Sequence, residues 1–192
     1  MSSSPVIRLR PLHPDDAGTI AGWAADPVFV AHAGWSPDLE RSTMYEFWHG
    51  MAIAPPRELV RLVATLEGEI VGYADLHGAD TSERELGYAV GPSARWGQGL
   101  GTAVARAGLR HGFDELGLEE IWAEAPPANT ASVRILERLG MRRTGTGEED
   151  EFLGERTRCA QYRITRRDHA RLSGPAAPPA PARGPKGTAR YR

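Results

Sequence analysis

Trp96-Gly97-Gln98-Gly99-Leu100-Gly101-Thr102 stands between a short β-rich stretch and a segment in which Leu100, Ala103, Val104 and Ala107 recur at helical spacing. The first N–H groups of a helix have no intrahelical acceptor and carry partial positive charge, and glycine lets an anion approach without a Cβ in the way. The turn therefore reads as a pyrophosphate cradle between a strand and a helix. A tight turn that binds nothing is the competing reading. The Gly97-x-Gly99-x-Gly101 spacing differs from the dinucleotide fingerprint and comes late in the chain. Glu119-Glu120 precedes the next strand instead of closing it, and the lysine of a phosphate loop is absent.

Outward from the turn, a strand over 85–90 precedes it, a helix over 99–116 follows, and residues 121–124 form an apolar, central strand. Strand, helix and strand imply a parallel crossover. A helix over 130–139 is stopped by Gly140, and strands over 141–146 and 158–165 flank the acidic loop Glu148-Glu149-Asp150-Glu151. On the N-terminal side, a strand over 6–10 ends at Pro11. Ala17, Ile20, Ala21 and Ala24 mark a helix closed by Asp26-Pro27, and Ser36-Pro37 opens a second helix running to about Gly50. Runs over 59–66 and 70–76 form a hairpin across the three-residue loop Glu67-Gly68-Glu69. This order specifies an α/β (mixed α+β) fold, a mixed sheet with helices on both faces.

The chain has 192 residues and is 41% hydrophobic, enough for one substantial core. Residues 1–173 are expected to form that domain. From Gly174 onward, prolines mixed with alanine and glycine lack apolar periodicity and read as a disordered tail over 174–192. The tail holds Arg183, Lys186, Arg190 and Arg192 and no acid, so the net charge of −2 becomes −6 once it is set aside. A mildly acidic body suits a cationic partner and argues against nucleic acid. The single cysteine, Cys159, excludes an internal disulfide and reads as small core filling, and the six histidines show no zinc-like spacing, so no metal is expected. With no signal-like or membrane-length apolar run, a cytoplasmic protein without a membrane partner is expected. A homodimer is one option for its assembly.

Glu85-Leu86-Gly87-Tyr88-Ala89-Val90-Gly91-Pro92, the glycine turn, and Asn129-Thr130-Ala131-Ser132 through Leu139-Gly140-Met141 occur in one order. In that order they resemble the core of the GNAT superfamily of N-acetyltransferases, most closely the branch that acetylates the N-termini of ribosomal proteins. The resemblance covers 59–146 well and 6–58 in element order and in Trp23-x-x-Asp26-Pro27. It implies a mostly antiparallel sheet of about seven strands and acetyl-CoA as co-substrate. It further implies that Trp96, Gly97, Gln98, Gly99, Leu100, Gly101 and Thr102 hold the coenzyme A pyrophosphate. The backbone of Tyr88, Ala89 and Val90 pairs with the pantetheine arm, and Asn129 contacts the cofactor from the next helix. By the same resemblance, the loop and helix over 33–56, with Trp35, Tyr45 and Trp48, wall the acceptor site.

Acetyl transfer to nitrogen needs a neutral amine, a polarised thioester and a stabilised thiolate. An α-amine, with a reference pKa of about 7.7–8.0, is partly neutral near pH 7, whereas a lysine at about 10.4 relies on a base. By resemblance that base is Glu85, with Glu83 and Glu124 behind it. Many members carry a tyrosine proton donor seven residues after the asparagine, where this chain has Leu136. Ser132 is the donor expected instead, and a backbone N–H near Val90 the stabiliser of the oxyanion. The acceptor is a primary amine, either a protein N-terminus or a small cationic amine such as an aminoglycoside. A non-catalytic acyl-CoA-binding module is the alternative of a different class.

Overall fold

The structure is a computed structural model that describes residues 5–173. The hairpin expected near residue 67 forms between β2 (Leu59–Leu66) and β3 (Glu69–His77). Leu66 pairs directly with Glu69, so the loop has two residues rather than three. Glu67 and Gly68 both take positive φ, 53° and 91°, as a tight hairpin turn of the right twist requires. Five further strands complete one sheet: β1 (Arg8–Pro11), β4 (Glu83–Val90), β5 (Glu120–Ala125), β6 (Arg142–Phe152) and β7 (Glu155–Thr165). Their order is β1-β2-β3-β4-β5-β7-β6, and β4 with β5 is the one parallel pair among the described strands.

The acidic stretch 148–151 is not a loop. It lies within β6, and the hairpin turns at Leu153-Gly154. Its carboxylates are tolerated in a strand because they stand on exposed positions, where Glu149 pairs with Arg158 of β7 at 2.8 Å.

Helices cover both faces. Strand alternation sends Leu86 and Val90 of β4 toward α4 (Leu100–Asp114) and α5 (Thr130–Arg138), where Val104, Leu109, Phe113 and Leu136 are buried. Ala89 faces the other way, onto a cluster built from α1 (Ala17–Ala21), α2 (Pro27–His32) and α3 (Arg41–Ile53). The Asp26-Pro27 pair ends the first helical segment and also starts α2, which sequence reading missed. The Asp26 carboxylate accepts from the N–H groups of Val28 and Phe29 at 3.1 Å each, and Pro27 fills the first helical turn, where no N–H partner is needed. α3 begins at Arg41 rather than at Ser36-Pro37, because residues 36–39 close a turn through Leu39 N–H and Ser36 C=O at 3.2 Å. A last helix, α6 (Arg166–Ser173), was also missed; it is started by Thr165 Oγ1 accepting from Asp168 N–H. The tail expected over 174–192 lies outside the described residues. Among the described residues, no helix is long and apolar enough to cross a membrane.

β4 and β5 pair only from Glu83–Glu120 to Glu85–Trp122, whereas β4 stays paired with β3 through Val90. The sheet therefore splits beyond Glu85. β4 keeps one free edge along its last residues, and the fold builds its cavity there.

Candidate active site

Gly91 N–H donates to Val71 C=O at 3.1 Å, which sets the phase of the antiparallel β3–β4 ladder. By alternation, Glu85, Gly87 and Ala89 turn their backbone groups toward β3, while Tyr88 and Val90 turn theirs into the split. Val90 C=O is taken by the Trp96 indole N–H at 2.7 Å, which fastens the glycine turn to the end of β4. The remaining backbone groups, Tyr88 N–H and C=O and Val90 N–H, form an edge suited to an extended amide-bearing ligand.

An open cavity of about 210 Å³ runs along this edge. It is lined by Tyr88, Ala89 and Val90 of β4, by Trp96, Gly97, Leu100 and Gly101 of the glycine turn and the start of α4, and by Asn129, Ser132 and Ile135 from the cap and body of α5. Gly97 and Gly99 have φ of 77° and 79°, a region that non-glycine residues adopt at a cost, and Gly99 is the residue that caps α4. The first intrahelical bond of α4 runs from Ala103 N–H to Gly99 C=O, so Leu100, Gly101 and Thr102 offer N–H groups without an intrahelical acceptor. Arg95 also lines this end while paired with Glu69 at 2.8 Å. Asn129 caps α5 by accepting from Ser132 N–H at 3.1 Å. Anion-binding backbone at one end and a free strand edge along one side fit a ligand that is anionic at one end and amide-bearing along its length.

Of the expected site residues, Gln98, Gly99 and Thr102 belong to the turn without lining the cavity. The three aromatics assigned to the acceptor wall are also absent from it. Trp48 is 1% exposed and packs among Trp35, Phe47 and Tyr73 in the core. Tyr45 is exposed and stacks on His49 of its own helix. Trp35 reaches the site indirectly, edge-on against Phe29. Phe29, His32 and Ala33, on or just after α2, are the lining residues that replace them. Their signal was the Asp26-Pro27 cap. Asp26 also accepts from Ser93 N–H at 2.7 Å, tying α2 to the loop before the glycine turn.

Glu85 lies at the last β4–β5 rung, at the base of the split and outside the cavity lining. At about 3.3 Å per residue it stands roughly 10 Å along the strand from Tyr88. Burial, and next the charge of Glu124, push its pKa above the usual carboxylate range, with His77 opposing. The buried Cys159 thiol is pushed up to about 11, first by burial and then by Asp150, Glu124 and Glu85. Three carboxylates thus share this corner of the sheet, and Cys159 stays a protonated thiol near neutral pH.

Residues 7–142 match the acetyltransferase (GNAT) domain family. The chain belongs to that family. As a GNAT protein it is an acyl-CoA-dependent N-acetyltransferase. Among similar proteins is the uncharacterised N-acetyltransferase p20 of Bacillus licheniformis, 22% identical over 72% of this chain and 80% of that one. An aminoglycoside acetyltransferase solved with coenzyme A and kanamycin superposes with a TM-score of 0.72 at 20% identity, over 88% of this chain and 99% of the other. Spermidine N-acetyltransferase from Vibrio cholerae, solved with coenzyme A and spermine, gives 0.72 at 18%, over 85% and 97%. These likenesses establish the GNAT fold, with its seven-stranded, mostly antiparallel sheet.

Proposed function

We propose that residues 1–173 form a catalytic domain that moves an acetyl group from acetyl-CoA to a primary amine by direct attack in a ternary complex. The observation that carries this reading is the β4–β5 split, with an anion-binding turn at one end and a half-buried carboxylate at its base. Residues 96–102 hold the pyrophosphate, the free edge of Tyr88 and Val90 pairs with the pantetheine amides, and Asn129 orders the facing end of α5. Of that edge, the Tyr88 N–H, two residues nearer Glu85, polarises the thioester carbonyl. Glu85 takes the amine proton through water, since it stands too far along the strand for direct contact with a thioester beside Tyr88.

A small cationic amine is the acceptor favoured here over a protein N-terminus of the kind the ribosomal-protein branch acetylates. Glu85, Glu124 and Asp150 gather around Cys159, an acidic corner that suits a cationic amine, and the two structural neighbours above were solved with kanamycin and with spermine. The test is mass spectrometry of products after incubation with acetyl-CoA and a mixed library of polyamines, aminoglycosides and peptides. Acetylated polyamines or aminoglycosides are the expected products. Acetylated peptides alone would favour the N-terminal branch, and coenzyme A binding without any product would favour the non-catalytic module.

Gly99→Val tests the turn. A branched residue resists φ of 79° and redirects the N–H groups at the start of α4, so affinity for coenzyme A should fall at least about tenfold with the fold retained. Gly101 has no positive φ, and a Cβ there would meet the flexible end of Ile135 at 2.8 Å, so its substitution acts through α5 instead. Calorimetric titration giving wild-type affinity in Gly99→Val would remove the turn from the phosphate site.

A further inference from the structure

We propose that the Tyr88 hydroxyl, carried on β4, donates the hydrogen bond that stabilises the sulfur of coenzyme A as it leaves. The proposal rests on the acetyl-transfer reading of the cavity. The need for a donor is set by α5, whose Leu136 is 1% exposed in the core and has no proton to offer. Tyr88 stands on the free edge of β4 and lines the cavity together with Ser132 and Asn129. Its ring packs against both hydrophobic clusters beneath α4 and α5, which fixes its direction. Its Oη is buried and makes no hydrogen bond of normal geometry, with the Ser132 hydroxyl as its one polar neighbour among the described residues. An orphaned phenol costs the fold stability, and such groups persist where a ligand completes them.

Burial pushes the Tyr88 phenol up to about 12, with the Ser132 hydroxyl opposing. The O–H is therefore intact across the working pH range. A thiolate, with a reference pKa of about 8.5, is a weaker base than this phenolate, so the proton stays on oxygen and Tyr88 acts as a hydrogen-bond donor. The amine nitrogen bonds the acyl carbon, the C–S bond breaks with its electron pair on sulfur, and the nitrogen proton passes to Glu85 and on to water. Sulfur departs as thiolate and takes a proton from solvent according to pH. The donor is preformed and dry, where a charge-assisted hydrogen bond is strongest.

Tyr88→Phe keeps the ring and removes only the oxygen. The variant should lose about tenfold or more in kcat while its Kd for acetyl-CoA stays within about twofold. A second readout needs no turnover: the thiol of bound coenzyme A, followed by thiolate absorbance, should titrate at higher pH in Tyr88→Phe than in the wild type. Wild-type kcat together with an unchanged thiol titration would overturn the proposal. So would a tenfold loss confined to Ser132→Ala, which would make Ser132 the donor. A wild-type protein that binds no coenzyme A would remove the acetyl-transfer reading and this proposal with it, whereas failure of Tyr88→Phe alone leaves that reading intact.

Discussion

Glu85→Gln is expected to lower kcat by about 10²–10⁴-fold near neutral pH, the range that a positioned base contributes, with little change in acetyl-CoA affinity. The pH profile carries the sign. Burial and Glu124 raise the Glu85 pKa, so wild-type activity should climb as Glu85 ionises and climb further as the amine deprotonates. The Gln variant keeps only the amine limb, and its deficit should shrink as pH rises. A variant with normal kcat and a raised acceptor KM would make Glu85 an electrostatic anchor and remove it as base. Stability should move the other way. A carboxyl whose folded pKa is raised contributes fully only below its unfolded pKa and loses that contribution as pH rises through the folded value. Gln is neutral throughout, so thermal melts near pH 8 should find Glu85→Gln no less stable than the wild type.

What the sequence exposed best was punctuation. The glycine turn and the strand before it were legible because each depends on local backbone chemistry: a positive φ and an unpaired N–H. α2 was hidden by the same kind of signal, since Asp26-Pro27 is read equally well as a stop and as a start, and six residues are too few to show a period. The acidic stretch in β6 looked like a loop because charge was taken for solvent exposure of the backbone, whereas in a hairpin only the side chains need water.

The site's side chains were harder to read than its backbone. The Tyr88 backbone could be assigned to a ligand by resemblance, but the direction of its hydroxyl depends on which face of β4 meets α4, and parity alone does not say which face is which. The aromatics of α3 were hard to place for a related reason. Trp48 and Tyr45 lie on one short helix, and the choice between core and surface is made by the sheet it lands on: Trp48 meets Tyr73 while Tyr45 points to solvent.

That landing point predicts the largest stability effect. Asp75→Ala should lower the unfolding free energy by about 2–3 kcal/mol, somewhat below the cost of removing one partner from a fully buried ion pair. Arg61 Nε and one terminal nitrogen donate to the two Asp75 oxygens at 2.8 and 2.6 Å, with side chains 15% and 14% exposed. The guanidinium lies 4.6 Å from the Trp48 ring centre and 5.2 Å from that of Tyr73. Burial works against the Arg61 charge, and the hydrogen bonds and charge of Asp75 outweigh it, raising the pKa. A raised cation keeps its contribution at every pH below its unfolded value, so the loss in Asp75→Ala should be constant from about pH 6 to 9. Removing the cation as well, in Arg61→Met/Asp75→Leu, should recover most of the loss, because the cost lies in the stranded charge. Denaturant melts of both variants measure the difference. A loss below about 1 kcal/mol in Asp75→Ala would mean that stacking on Trp48 and Tyr73, rather than the ion pair, holds Arg61 in place.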